Sequence, residues 1–121
     1  MTISEAISQA DASLRNSVDA AQKISWLNLV DSTVKRMVLD EYSSTDAFTG
    51  YTADTPGDTE LLMPAPFDVG YVHFLIAQIY LNIKELDQYN NFLGMYYTDM
   101  DEYSKWYRRT HNSKTNSRFL F

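Results

Sequence analysis

The sequence predicts an all-α fold: a small four-helix domain with a long loop between helices 2 and 3 and an extended C-terminal tail. Two observations carry that expectation. Apolar residues recur at steps of three and four over most of the chain, and all three Pro and two of the four Gly fall between positions 50 and 66. A third sets the scale: at 121 residues the chain buries roughly two thirds of its unfolded surface, enough for one core and not for two.

The first helix is announced by Thr2-Ile3-Ser4-Glu5, with the spacing of a capping box, Thr2 as N-cap and Glu5 at the third helical position. Ile3, Ile7, Ala10 and Leu14 form its stripe until Asn16-Ser17 interrupts it. The second helix, expected over about 18 to 42, follows Asp19, whose charge complements a helix N-terminus. Its apolar face is Ile24, Leu27, Val30, Val34, Met37 and Val38, widened by Trp26.

From Ser43 to Pro66 no helical period survives, a length that marks a functional loop or a linker. Phe48, Tyr51 and Leu61-Leu62-Met63 argue for a covered loop. Pro64-Ala65-Pro66-Phe67-Asp68 then forms a rigid lead into a third helix, with Asp68 as N-cap and Phe67 placed to staple against Val72. Val69, Val72, Ile76, Ile79 and Ile83 give its buried face, broadened by Leu75 and Tyr80. Leu86, Tyr89, Leu93, Tyr96, Met100, Tyr103 and Tyr107 continue the spacing to Thr110. A single rod of that span would leave one end unpacked, so a helical hairpin bending near Lys84 is expected.

The domain is thus expected over 1–111, with the loop at about 43–67 and a docking tail at 112–121. That tail is polar from His111 to Arg118 and ends in Phe119-Leu120-Phe121. By itself such a segment is expected to be disordered, becoming ordered within an assembly.

Charge is divided along the chain. Residues 1–104 carry 16 acids and 5 bases, whereas 105–121 carry five bases (Lys105, Arg108, Arg109, Lys114, Arg118) and no acid. The body is acidic and the C-terminal arm basic. There is no Cys, which removes disulfides, thiolate chemistry and Cys-based zinc sites. No apolar run approaches the roughly 20 residues that span a bilayer, and Met1-Thr2-Ile3-Ser4-Glu5 lacks a signal peptide's basic start. A soluble protein with no membrane partner, used inside a cell or packed into a particle, is expected.

Chemistry is sparse. His73 has no acid or base at helical spacing, and His111 is accounted for by the dipole at a helix C-terminus. Asp54, Asp58 and Glu60 lack the alternation and closing Glu of a calcium loop. Asp99, Asp101 and Glu102 splay around a helix rather than share a proton. With no phosphate loop and no nucleophile elbow, neither an enzyme, a cofactor nor a metal is expected. The basic arm, flanked by Trp106 and Tyr107, admits nucleic-acid binding, but the acidic body would repel that polymer. Docking onto an acidic protein, with Phe119-Leu120-Phe121 as anchors, fits both charge and hydrophobicity better.

Several segments carry a resemblance: Leu61-Leu62-Met63-Pro64-Ala65-Pro66-Phe67-Asp68, then Tyr71, Ala77-Gln78-Ile79, Glu85-Leu86-Asp87-Gln88-Tyr89-Asn90-Asn91 and Trp106-Tyr107-Arg108-Arg109-Thr110-His111. With the stretch from Ile3 through Lys23-Ile24-Ser25-Trp26-Leu27-Asn28, they resemble head-tail connector (adaptor, or head-completion) proteins of tailed bacteriophages. The resemblance implies a structural virion protein, assembled in the host cytoplasm and located in the neck. There it would form a homo-oligomeric ring, typically a dodecamer, beneath the portal and continue the channel through which genomic DNA passes unbound. It implies portal contact for Arg108, Arg109, Lys114, Arg118, Phe119 and Phe121, and contact with a downstream neck or tail protein, or between subunits, for Phe48, Tyr51 and Leu62. The sequence departs from the pattern at Lys84, where a small turn residue is expected: a left-handed conformation costs Lys roughly 1 kcal/mol. Another neck protein (stopper or tail-completion) and a helical nucleic-acid-binding module are the alternatives.

Overall fold

The computed structural model describes residues 1–42 and 48–111, with the backbone alone at 41 and 42; the expected docking tail, including Lys114, Arg118, Phe119 and Phe121, lies outside the described residues. The all-α expectation holds. Four helices, α1 (Ile3–Ser13), α2 (Ala20–Met37), α3 (Val69–Asn82) and α4 (Leu86–Thr110), are joined by a 3-10 turn (Leu39–Tyr42) after α2 and a long loop before α3. Among the described residues there is no strand, and the one β-bridge pairs Thr2 with Glu60.

Thr2 caps α1 with both halves of the capping box in place. The long loop supplies the rest of that helix start. Ile3 N–H donates to Thr59 O (3.0 Å) and Ser4 N–H to Gly57 O (2.9 Å), while Leu61 N–H donates back to Met1 O (3.0 Å). Donors that a helix N-terminus leaves unpaired are thereby satisfied by the loop itself. Asp19 is the N-cap of α2, accepting from Gln22 N–H at 2.8 Å.

Helix α3 is the central element, touching α1, α2 and α4. Gly70, Tyr71, Val72, Phe74, Leu75, Ile76, Ala77 and Ile79 are buried, so burial extends around the helix rather than along one stripe. Two residues expected on its buried face lie outside: Val69, the first residue of α3, and Ile83, just past its end, are exposed. Asp68 also departs from expectation. It has αR backbone angles and makes no side-chain cap bond; its carboxylate instead lies 3.6 Å from the Met1 amino group.

The hairpin bends at Lys84, where the need to bury both ends of the rod, and not the periodicity, placed the break. Lys84 has φ +63° between α3 and α4, and Glu85 N–H closes the turn on Tyr80 O at 2.9 Å. From there α4 runs antiparallel to α3, with Tyr80 stacked on Phe92 (ring centroids 5.7 Å), Phe74 tilted against Tyr96 (4.8 Å) and Phe67 beside Tyr103 (5.6 Å) and Trp106 (5.3 Å). Each step up one helix is matched by a step down the other.

Candidate functional site

Helix α4 has 25 residues against 14 in α3, so it is about 16 Å longer at 1.5 Å per residue. The excess carries it past the start of α3 and gives the hairpin two chemically different poles. At the turn, Leu81, Ile83 and Leu86 stand exposed, the last two at 53% and 57%, interleaved with the equally exposed Asn82, Lys84, Glu85 and Asp87. At the far end, the exposed Arg108 and Arg109 occupy the last turn of α4, where cations complement the helix dipole. Arg108 is steadied by its own helix, its guanidinium donating to Ser104 Oγ at 2.7 Å. The Tyr107 and His111 rings stack at 3.7 Å and fix the direction in which the chain leaves α4.

Between the poles lies a groove of about 410 Å³ formed by the end of α2 and one face of α4. Met37, Val38, Tyr96, Tyr97 and Met100 give it an apolar lining, and Asp101 and Arg108 stand among its polar groups. Met37 and Tyr97 are 63% and 61% exposed, although Met37 continues the apolar stripe that marks α2 as a core helix. Burial pushes the Tyr96 phenol up to about 12, so it stays a neutral donor at the groove wall.

The loop residues expected to face partners are tied inward. Asp31 on α2, at 0% exposure, accepts from Tyr51 Oη (2.5 Å), Tyr71 Oη (2.5 Å) and Leu62 N–H (3.1 Å). Tyr71 Oη in turn accepts from Met63 N–H at 2.7 Å. Burial raises the Asp31 pKa and outweighs its three donors; the same burial, with the carboxylate beside them, drives both phenols far above the ordinary tyrosine range. Phe48 meets the Tyr51 ring edge-on at 5.0 Å. The part of the loop from Phe48 to Met63 is therefore pinned to the core at Tyr51, Leu62 and Met63.

Sequence reasoning missed Asp31. The signal was present: it stands four residues after Leu27 and three before Val34, a lone acid inside an apolar stripe. It also missed Lys23, buried on α2 and paired with Asp11 Oδ1 of α1 at 2.8 Å. The reading of His73 as partnerless is corrected. Its Nδ1 lies 2.6 Å from Asp99 Oδ2, a pairing across the hairpin that spacing within one helix cannot reveal. Gly70 makes room for it: a β-carbon there would stand 3.1 Å from Asp99 Cβ, so the small residue lets α4 close on α3. The pair clamps the two helices.

Asp54, Asp58 and Glu60 are exposed, and among the described residues no three His, Cys, Asp or Glu side chains are grouped to hold a metal ion. No helix of the described residues is long and apolar enough to cross a membrane.

The class defined here is a small all-α domain built around a central helix, with exposed aliphatic side chains at the hairpin turn, a basic helix end and a groove between them. No protein family, curated protein or solved structure matches the chain in comparison with known proteins.

Proposed function

We propose that this chain is a non-enzymatic structural subunit, a head-tail connector of a tailed bacteriophage that assembles into a ring between portal and tail. One observation carries the reading: the long helix α4 separates a turn with three exposed aliphatic side chains (Leu81, Ile83, Leu86) from a basic end (Arg108, Arg109). Unlike surfaces at opposite ends favour heterologous contacts over a self-complementary dimer, and such contacts form a ring when the rotation between neighbours closes. The order of the connector-like motifs along the chain supports the same reading. In it, Arg108, Arg109, Lys114, Arg118, Phe119 and Phe121 engage the portal. Phe48, Tyr51 and Leu62 offer the downstream or neighbouring component a surface held in place by Asp31, which lowers the ordering cost of contact.

Aromatic residues contribute less to that outer surface than their number implies. Tyr71, Tyr96 and Tyr103 are buried within the fold, and Tyr97 is exposed. The proposed adhesion between copies falls to the aliphatic hairpin turn.

Native mass spectrometry of the chain with portal protein, and cryo-microscopy of particles, test the proposal. A closed ring in the neck is expected, lost with Ile83→Glu and Leu86→Glu. A chain that stays monomeric with portal and is absent from virions would overturn it. Salt-dependent DNA affinity removed by Arg108→Ala and Arg109→Ala would favour a nucleic-acid-binding module instead.

A further inference from the structure

We infer that the groove between the end of α2 and α4 is the docking site for Phe119-Leu120-Phe121 of the same chain, folded back along α4 in the free subunit. The inference concerns the isolated chain and stands whether or not the ring reading does.

Three features select this occupant. The first is reach. From His111 back to Tyr97 is 14 helical residues, about 21 Å. From His111 forward to Phe119 is eight residues, at most about 26 to 29 Å when extended. Extended backbone already begins at His111, with φ −132° and ψ 147°. A reversal there delivers Phe119 to the stretch of α4 between Tyr97 and Met100, and the hairpin turn stays beyond range.

The second is chemistry. Residues 112–118 hold no apolar side chain, and the anchors come only after that spacer. The face of α4 along the return path is polar at Ser104 and Asp101, and apolarity begins where the groove opens at Met100, Tyr97 and Met37. Polar spacer and polar face coincide, as do apolar anchor and apolar groove. A volume of about 410 Å³ falls in the range that encloses a compact apolar group.

The third is charge. Arg118 immediately precedes the anchor, and Asp101, which pairs with Lys105 Nζ at 2.8 Å, stands on the groove wall as its acidic group. The tail is basic and the body acidic as a whole, an attraction that acts at long range and is reduced near the end of α4 by Lys105, Arg108 and Arg109.

Docking hides two aromatic anchors until a partner competes for them. A protein surface that binds Phe119 and Phe121 more tightly than the groove does would draw the segment out and leave the groove open.

The chain has no native Cys, which permits a direct test on the full-length protein. Thr33→Cys at the groove is combined with Leu120→Cys, and a short bismaleimide is added at micromolar protein. An intramolecular crosslink is expected, roughly tenfold or more faster than for Asp87→Cys with Leu120→Cys, because tethering gives the segment an effective concentration on the order of millimolar. Asp87 lies beside the hairpin turn, about 36 Å from His111 along α4, and is out of reach. Adding Met37→Asp, an exposed position whose substitution leaves the core intact, should slow the Thr33→Cys pair several-fold, to the rate of an undocked tether. Crosslinking no faster than the control would overturn the inference. So would a rate untouched by Met37→Asp, or products that appear only between two chains, which would place a neighbour's segment in the groove.

Discussion

Helices α3 and α4 are the two arms of one hairpin, yet they meet their surroundings in opposite ways. Helix α3 has neighbours on three sides and is buried almost all around, whereas α4 has eleven more residues and only Tyr96 and Tyr103 fully buried among them. The difference shows that one arm exists to hold the fold and the other lends it a single face. What α4 keeps outside, at the groove and the basic end, is available for binding.

The sharpest way to break this contrast is through Asp31, which fastens the loop to α2 and α3. Asp31→Ala leaves two phenols and the Leu62 amide without their acceptor and should cost about 3 to 5 kcal/mol. Denaturant unfolding measures it, and a loss under about 1 kcal/mol would mean the cluster is not structural. The pH dependence has a definite sign. Burial raises the folded-state pKa of Asp31 above its unfolded value, so its contribution is full below the unfolded pKa and declines as pH rises toward the folded one. The stability gap between the native chain and Asp31→Asn should therefore be widest in acid and narrow with rising pH. A gap that widens contradicts the assignment.

A second comparison sets the two arms side by side. Leu75→Ala on α3 should lose about 2 to 5 kcal/mol, since its side chain is wholly buried. Leu86→Ala, at the exposed start of α4, should lose less than about 0.5 kcal/mol in the isolated chain. Equal losses would show that α4 is packed as deeply as α3.

The clamp between the arms is weaker. His73→Ala should cost about 1 kcal/mol by removing the bond to Asp99, and Asp99→Asn should cost a similar amount. A double-mutant cycle that finds the two losses fully additive would show no coupling between them.

The smallest expected effect has the opposite sign. Lys84→Gly relieves a left-handed residue at the turn and should stabilise the chain by about 0.5 kcal/mol, the gain being reduced by the freer unfolded chain. A lower melting temperature would place the Lys84 side chain in a stabilising contact.

By itself the sequence determined what depends on neighbours a few positions away. The helical stripes and the Thr2 capping box were legible because period and capping act over three or four residues, whereas the break at Lys84 followed only from the inability of a lone rod to bury both its ends. Only the tertiary structure decided which polar groups became interior and which apolar ones stayed outside. Asp31 meets Tyr71 across 40 residues and His73 meets Asp99 across 26, pairings set by how helices pack and by no local spacing. Met37 and Ile83 belong to apolar stripes and remain exposed because a stripe is buried only as far as a neighbouring element extends.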